Sequence, residues 1–259
     1  MVFKGSIKEI ILQIRTVVDT YPRRLPGSVI CDGVTLEYVD LHSFYYQAFQ
    51  IFEKGLYHFD TKNHSPRIID CGAHIGLATL FFHINYPNSR VTSFEADPKI
   101  FTILQNNLTA LGLEQEIASQ KAVWITNDDI NFNMTSDDSG FVSEEGVTVP
   151  SVRLHDILET EERVDLLKMD IEGAEFNVIS DCSDMLHKVD RLIVEAHVLS
   201  DSIKCPSLLG QMLATLENIG MQYVLGDFHS ATWIEGGKVP PFKFITTDRY
   251  ICTVFAWWN

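Results

Sequence analysis

Ile68-Ile69-Asp70-Cys71-Gly72-Ala73-His74-Ile75-Gly76 joins a short apolar run to an acid and a turn with two glycines. Continuous apolar residues bounded by turn signals read as a strand buried on both faces. Gly72 lets the chain turn tightly and approach a ligand closely, and Gly76 lets the next helix pack against the sheet. Residues 75–84 continue as a helix, and Pro87 stops it. Asp70 falls on the side of the turn where a ligand would sit.

The same rhythm runs downstream. Residues 91–95 predict a second strand. Asp97-Pro98 then supplies an N-cap and a first-turn proline for a helix carrying Ile100, Phe101, Leu104, Leu108 and Leu111. Further strands are predicted over 117–124, 130–134, 164–169, 189–196, 221–225 and 249–257. A helix opens at Pro206 and ends at Gly220. Strands alternating with helices indicate an α/β fold, a parallel sheet covered on both faces. Right-handed crossovers place the strand C-termini on one rim, where ligands bind.

Upstream, residues 1–62 read as an extension, and 63–259 as the ligand-binding domain. Ser6 and Glu9 have capping-box spacing, followed by Ile7, Ile10, Ile11, Ile14, Val17 and Val18 at helical intervals. Residues 29–38 predict a hairpin turning at Asp32-Gly33, and 44–52 an aromatic-rich helix. This extension suits a lid or a homodimer contact. Tyr45 and Tyr57 within it, and Trp233 in the loop over 226–248, are candidate substrate-binding residues.

The 259 residues are 46% hydrophobic and carry a formal net charge of −15. Such a surface repels phosphate backbones and anionic lipid, so neither nucleic acid nor membrane is expected as a partner. The five cysteines are odd in number and lack CxxC spacing. That argues against a zinc site or disulfide framework and for a reducing, cytoplasmic setting. The N-terminal residues lack the apolar run of a signal peptide.

A second acid, in Phe94-Glu95-Ala96-Asp97-Pro98, ends the second strand, where a carboxylate accepts hydrogen bonds from ribose hydroxyls. Dinucleotide sites use G-x-G-x-x-G; here the loop is G-A-H-I-G. His74 would crowd a pyrophosphate, which disfavours an NAD-dependent oxidoreductase. S-adenosylmethionine has no phosphate, and its sulfonium would be attracted by Asp70 and Asp170. The expected cofactor residues are Asp70, Gly72, Ala73, His74, Gly76, Glu95, Ala96 and Asp170. Fold position adds Ala122 and Val123, beside the adenine.

These blocks, with Leu167-Lys168-Met169-Asp170-Ile171-Glu172-Gly173-Ala174-Glu175 and Val194-Glu195-Ala196-His197, resemble the FkbM family of methyltransferases over roughly residues 67–197. Cys71 and His74 stand where valine and asparagine are commoner. The resemblance implies a Rossmann-like class I fold, with a seven-stranded, mostly parallel sheet whose last strand is antiparallel. It also implies S-adenosylmethionine-dependent methyl transfer to a hydroxyl of a sugar or natural product.

Methyl transfer to a hydroxyl benefits from a base or a metal. Asp170 ends one strand, while Glu195 and His197 share a face of the next. His197 is the first candidate for general base, because its unperturbed pKa lies near neutrality. Alternatively, Asp170, Glu195 and His197 ligate a divalent metal, which is not the favoured reading. Glu172 is a candidate substrate contact, and Glu175 an acid beginning the next helix. N-methylation and a non-catalytic S-adenosylmethionine-binding protein both stay open.

Overall fold

The computed structural model describes residues 2–113, 117–133, 141–142, 146–198, 208–230, 238–239, 243–244 and 250–259. Trp233, a candidate substrate contact, lies outside them.

Seven strands form the central sheet: β4 (Arg67–Cys71), β5 (Arg90–Glu95), β6 (Ile117–Gln120), β12 (Leu166–Met169), β13 (Arg191–Val198), β14 (Gln222–Ser230) and β17 (Tyr250–Trp257). Their spatial order is β14-β17-β13-β12-β4-β5-β6. Strands β13, β12, β4, β5 and β6 run parallel, and β17 is antiparallel to both neighbours. The central strands are buried on both faces, which is why Leu166, Leu167, Ile68 and Ile69 give no polar alternation. The order reverses between β4 and β12, so Asp70 and Asp170 are brought together at the switch point.

Helices α3 (Leu77–Asn85), α4 (Pro98–Ala110), α5 (Leu154–Thr160), α6 (Glu175–Asp181) and α7 (Leu208–Ile219) connect the strands. The predicted strand over 117–124 divides in two. Gln120 ends β6, and β7 (Ala122–Trp124) pairs with β11 (Ser151–Arg153), outside the central sheet. A small sheet of β8 (Ile130–Asn133), β9 (Phe141–Val142) and β10 (Val147–Val149) precedes β11. The pair β15 (Lys238–Val239) and β16 (Lys243–Phe244) lies between β14 and β17.

Residues before β4 build β1 (Phe3–Gly5), α1 (Ile7–Arg15), β2 (Gly27–Cys31), β3 (Val34–Tyr38) and α2 (Leu41–Ala48), the last followed by a π-helical turn at Phe49–Glu53. The capping box is present, with Ser6 N donating to Glu9 at 2.8 Å. Asp32 and Gly33 both adopt positive φ, as a two-residue hairpin turn requires. Strand β1, which pairs parallel to β2, had no counterpart in the sequence reading; three residues are too few for a period.

This unit packs as part of the main core. Leu77 to Phe82 of helix α3 are all buried, so this stretch is covered on every side. The sheet covers one face and the N-terminal unit the other: Phe52 meets Phe81 at 5.7 Å and Tyr57 meets Phe82 at 6.0 Å between ring centroids. One hydrophobic cluster runs from Ile10 and Phe44 through Phe82 to Ile68 and Leu166. Buried Asn107 on α4 accepts from Glu37 N at 2.7 Å and donates to Glu37 O at 3.1 Å and Ile75 O at 2.8 Å.

Candidate active site

The turn after β4 is held from inside the protein. The amides of Gly72 and Ala73 both donate to Phe94 O at 2.9 Å. Gly72 has φ +82°, and a Cβ there would lie 1.8 Å from the carbonyl oxygen of Asp170. In the structure the close approach that Gly72 permits is to the backbone of Asp170. Gly76 has φ +92° and its packing neighbour is Leu104 of α4.

His74 takes φ 49°, which aims its amide at Glu95 Oε2, 2.9 Å away. Asp97 N donates to Glu95 Oε1 at 2.9 Å. Burial pushes the Glu95 carboxyl up to about 7, against the lowering effect of the Asp97 and His74 amides. Each oxygen retains a further acceptor site, which suits a diol such as ribose. His74 Nδ1 lies 2.9 Å from Gln47 Oε1, so α2 reaches the rim. Ala96 and Ala122 form an apolar wall with Ile130, Phe132 and Val149. Ala122 N donates to Pro150 O at 2.9 Å, and Val123 is buried in β7. The Ala122 amide is thus committed to the protein, and any cofactor contact there is through the side chain.

Lys168 is the residue that sequence reasoning missed. Its Nζ stands 3.1 Å from Asp70 Oδ1, 3.8 Å from Asp170 Oδ2 and 5.9 Å from the centre of the Tyr57 ring, and it donates to Gly72 O. Burial alone would lower its pKa, but Asp70, Tyr57 and Asp170 hold it well above the usual lysine value. The attraction for a sulfonium assigned to Asp70 is therefore already met by a protein cation. Asp70 Oδ2 is fully buried and has no hydrogen-bond partner among the described residues. A lysine inside the otherwise apolar β12 was the available signal.

On the neighbouring rim, Glu172 and Gly173 take φ 57° and 100°. This left-handed turn points the amides of Ile171 and Gly173 at Glu175, which accepts them at 3.0 and 2.9 Å. Glu175 is fully buried and lies 3.1 Å from His197 Nδ1. Its place in the first turn of α6 is as expected; its role as the anchor of His197 was not foreseen. His197 Nε2 faces Glu172 at 3.6 Å, Asp170 at 3.9 Å and Glu195 at 4.0 Å. Burial pushes the imidazole down, but Glu172, Glu175 and Asp170 outweigh it and hold it well above its usual value. Glu195 is pushed up to about 7 by burial and by Asp170.

Asp170, Glu195 and His197 thus converge, with Glu172 beside them. Tyr57 lines a crevice with Lys168, Asp170 and Glu195. Tyr45 does not join them: it is buried against Phe49, at 6.1 Å between centroids, within the N-terminal cluster. Its position on the inner face of α2 makes it a packing residue.

The model of the methyltransferase FkbM domain matches residues 70–223. The chain belongs to the FkbM methyltransferase domain family. The FkbM match takes in both rims, from Asp70 to His197. Methyltransferase sdnD of Sordaria araneosa is 26% identical over 169 residues, covering 50% of this chain and 65% of that protein. Methyltransferase 1 of Beauveria bassiana (strain ARSEF 2860) is 28% identical over 157 residues, covering 49% of this chain and 63% of that protein. The matches span just under two thirds of those relatives' lengths. The crystal structure of methyltransferase FkbM from Methylobacillus flagellatus superposes with a TM-score of 0.50 at 18% identity, over 83% of this chain and 51% of that one. It shares the Rossmann-like fold. No helix among the described residues is long and apolar enough to cross a membrane.

Proposed function

We propose that the chain is an S-adenosylmethionine-dependent methyltransferase that methylates a hydroxyl of a small molecule, a sugar or natural-product intermediate. The observation that carries this reading is the convergence of Asp170, Glu195 and His197 beside the Gly72 turn and Glu95, within an FkbM domain.

When bound, S-adenosylmethionine supplies an activated methyl group. Glu95 would hold its ribose, and Ala96 and Ala122 would flank its adenine. The protein's own work is to orient the acceptor and receive its proton. His197 has Nδ1 against Glu175 and Nε2 enclosed by three carboxylates, so it orients them. Glu195, with its side chain 31% exposed and lining the Tyr57 crevice, is the group positioned to take the acceptor's proton. This moves the base from His197 to its neighbour.

The test is to incubate the full chain with methyl-labelled S-adenosylmethionine and a panel of hydroxylated and aminated small molecules. Products are identified by carbon NMR. Labelled methyl ethers are expected; label only on nitrogen would replace the oxygen acceptor, and no transfer to any compound would count against the enzyme.

A further inference from the structure

Glu175 fixes one nitrogen of His197 and thereby aims the other. Because a carboxylate only accepts, Nδ1 donates to Glu175, and the neutral imidazole, the form that binds a metal, turns its Nε2 lone pair toward the other carboxylates. The His197 side chain is almost wholly buried, with Nε2 turned toward carboxylates. The neighbours of that nitrogen are Glu172, Asp170 and Glu195, at 3.6, 3.9 and 4.0 Å.

These separations are too long for charge-assisted hydrogen bonds, which close to about 2.8 Å. They suit donors sharing an ion. Ligands about 2.1–2.4 Å from one cation stand roughly 3–5 Å apart, depending on the angle between them. The donor atoms of Asp170, Glu172 and His197 all lie within 4.8 Å of one another. Charge gives an independent argument. Asp170, Glu175 and Glu195 converge on His197, and the lysine that meets Asp170 is Lys168. Lys168 is already engaged with Asp70.

We propose that Asp170, Glu172 and His197 bind one divalent cation, with Glu195 at its edge and Glu175 orienting the imidazole. One imidazole with two or three carboxylates selects a first-row ion of the manganese or zinc type. A carboxylate behind the ligating histidine is the usual support for such a site. The ion's role rests on the methyl-transfer reading: it would hold the acceptor's oxygen and lower its pKa, with Glu195 receiving the proton.

The probe is Mn2+ added to full-length protein stripped with chelator and dialysed, followed by electron paramagnetic resonance without cofactor or acceptor. One saturable ion per chain is expected, with modulation from a coordinated imidazole nitrogen. Glu172→Gln and Glu175→Gln should each weaken binding by about 10–100-fold. His155→Asn, in a separate cluster on α5, should leave it unchanged. No saturable binding to the wild-type protein, no nitrogen modulation, or loss of binding in the His155 variant alone would each overturn the site. S-adenosylhomocysteine binding is measured on the same stripped protein. Cofactor binding without Mn2+ binding removes only the ion; Mn2+ binding without cofactor binding removes the methyl-transfer reading instead.

Discussion

Lys168 and Glu175 are each a single ionisable side chain buried in the core, and each organises a rim of the site. Lys168 balances Asp70 and ties the end of β12 to Gly72. Replacing Lys168 by Met would leave Asp70 buried and unpaired. We expect a loss of about 3–5 kcal/mol of stability, read from the denaturation midpoint in urea. A loss below roughly 1 kcal/mol would mean that Lys168 does not balance that charge. Residue types at strand ends were legible from sequence: Asp70, Glu95, Asp170, Glu195 and His197 all reach the rim. Which charges neutralise one another was not legible. That depends on side chains meeting across the switch point between β4 and β12, and strand periodicity carries no information about it.

At the scale of elements, the strand–turn–helix pattern around Gly72 predicted β4 and α3 because local propensity and burial agree there. The split of residues 117–124 into two strands did not follow from pattern. Ser119, Gln120 and Lys121 separate the apolar residues on either side, and the chain leaves the sheet where Ala122 N finds Pro150 O. Tertiary pairing outweighed a short local signal. Docking of β3 on α4 is concentrated in Asn107, whose amide serves three backbone groups. Asn107→Ala strands those groups and should cost about 2 kcal/mol in equilibrium unfolding. A neutral result would show that the hydrophobic contacts alone hold the two elements together.

For the whole molecule, residues 2–59 and the central sheet share one hydrophobic cluster. The composition of α3 carried a hint of this, since Leu77-Ala-Thr-Leu-Phe-Phe82 leaves no polar face for solvent. A chain beginning at residue 63 would expose Phe81, Phe82 and Ile68. It is expected to aggregate or to lose its cooperative melt by circular dichroism. A soluble fragment with a sharp transition would show that the sheet covers itself. The same unit brings Gln47 to His74 and Tyr57 to Lys168, so removing it also dismantles the rim.

The methyl-transfer reading requires a phosphate-free nucleoside cofactor held between the Gly72 turn and Glu95. Titration calorimetry of the full chain with S-adenosylhomocysteine, and separately with NAD, tests it most directly. One saturating site for S-adenosylhomocysteine is predicted, lost in a Glu95→Ala variant that keeps its thermal melt, with no heat from NAD. Saturable NAD binding with no response to S-adenosylhomocysteine would contradict it.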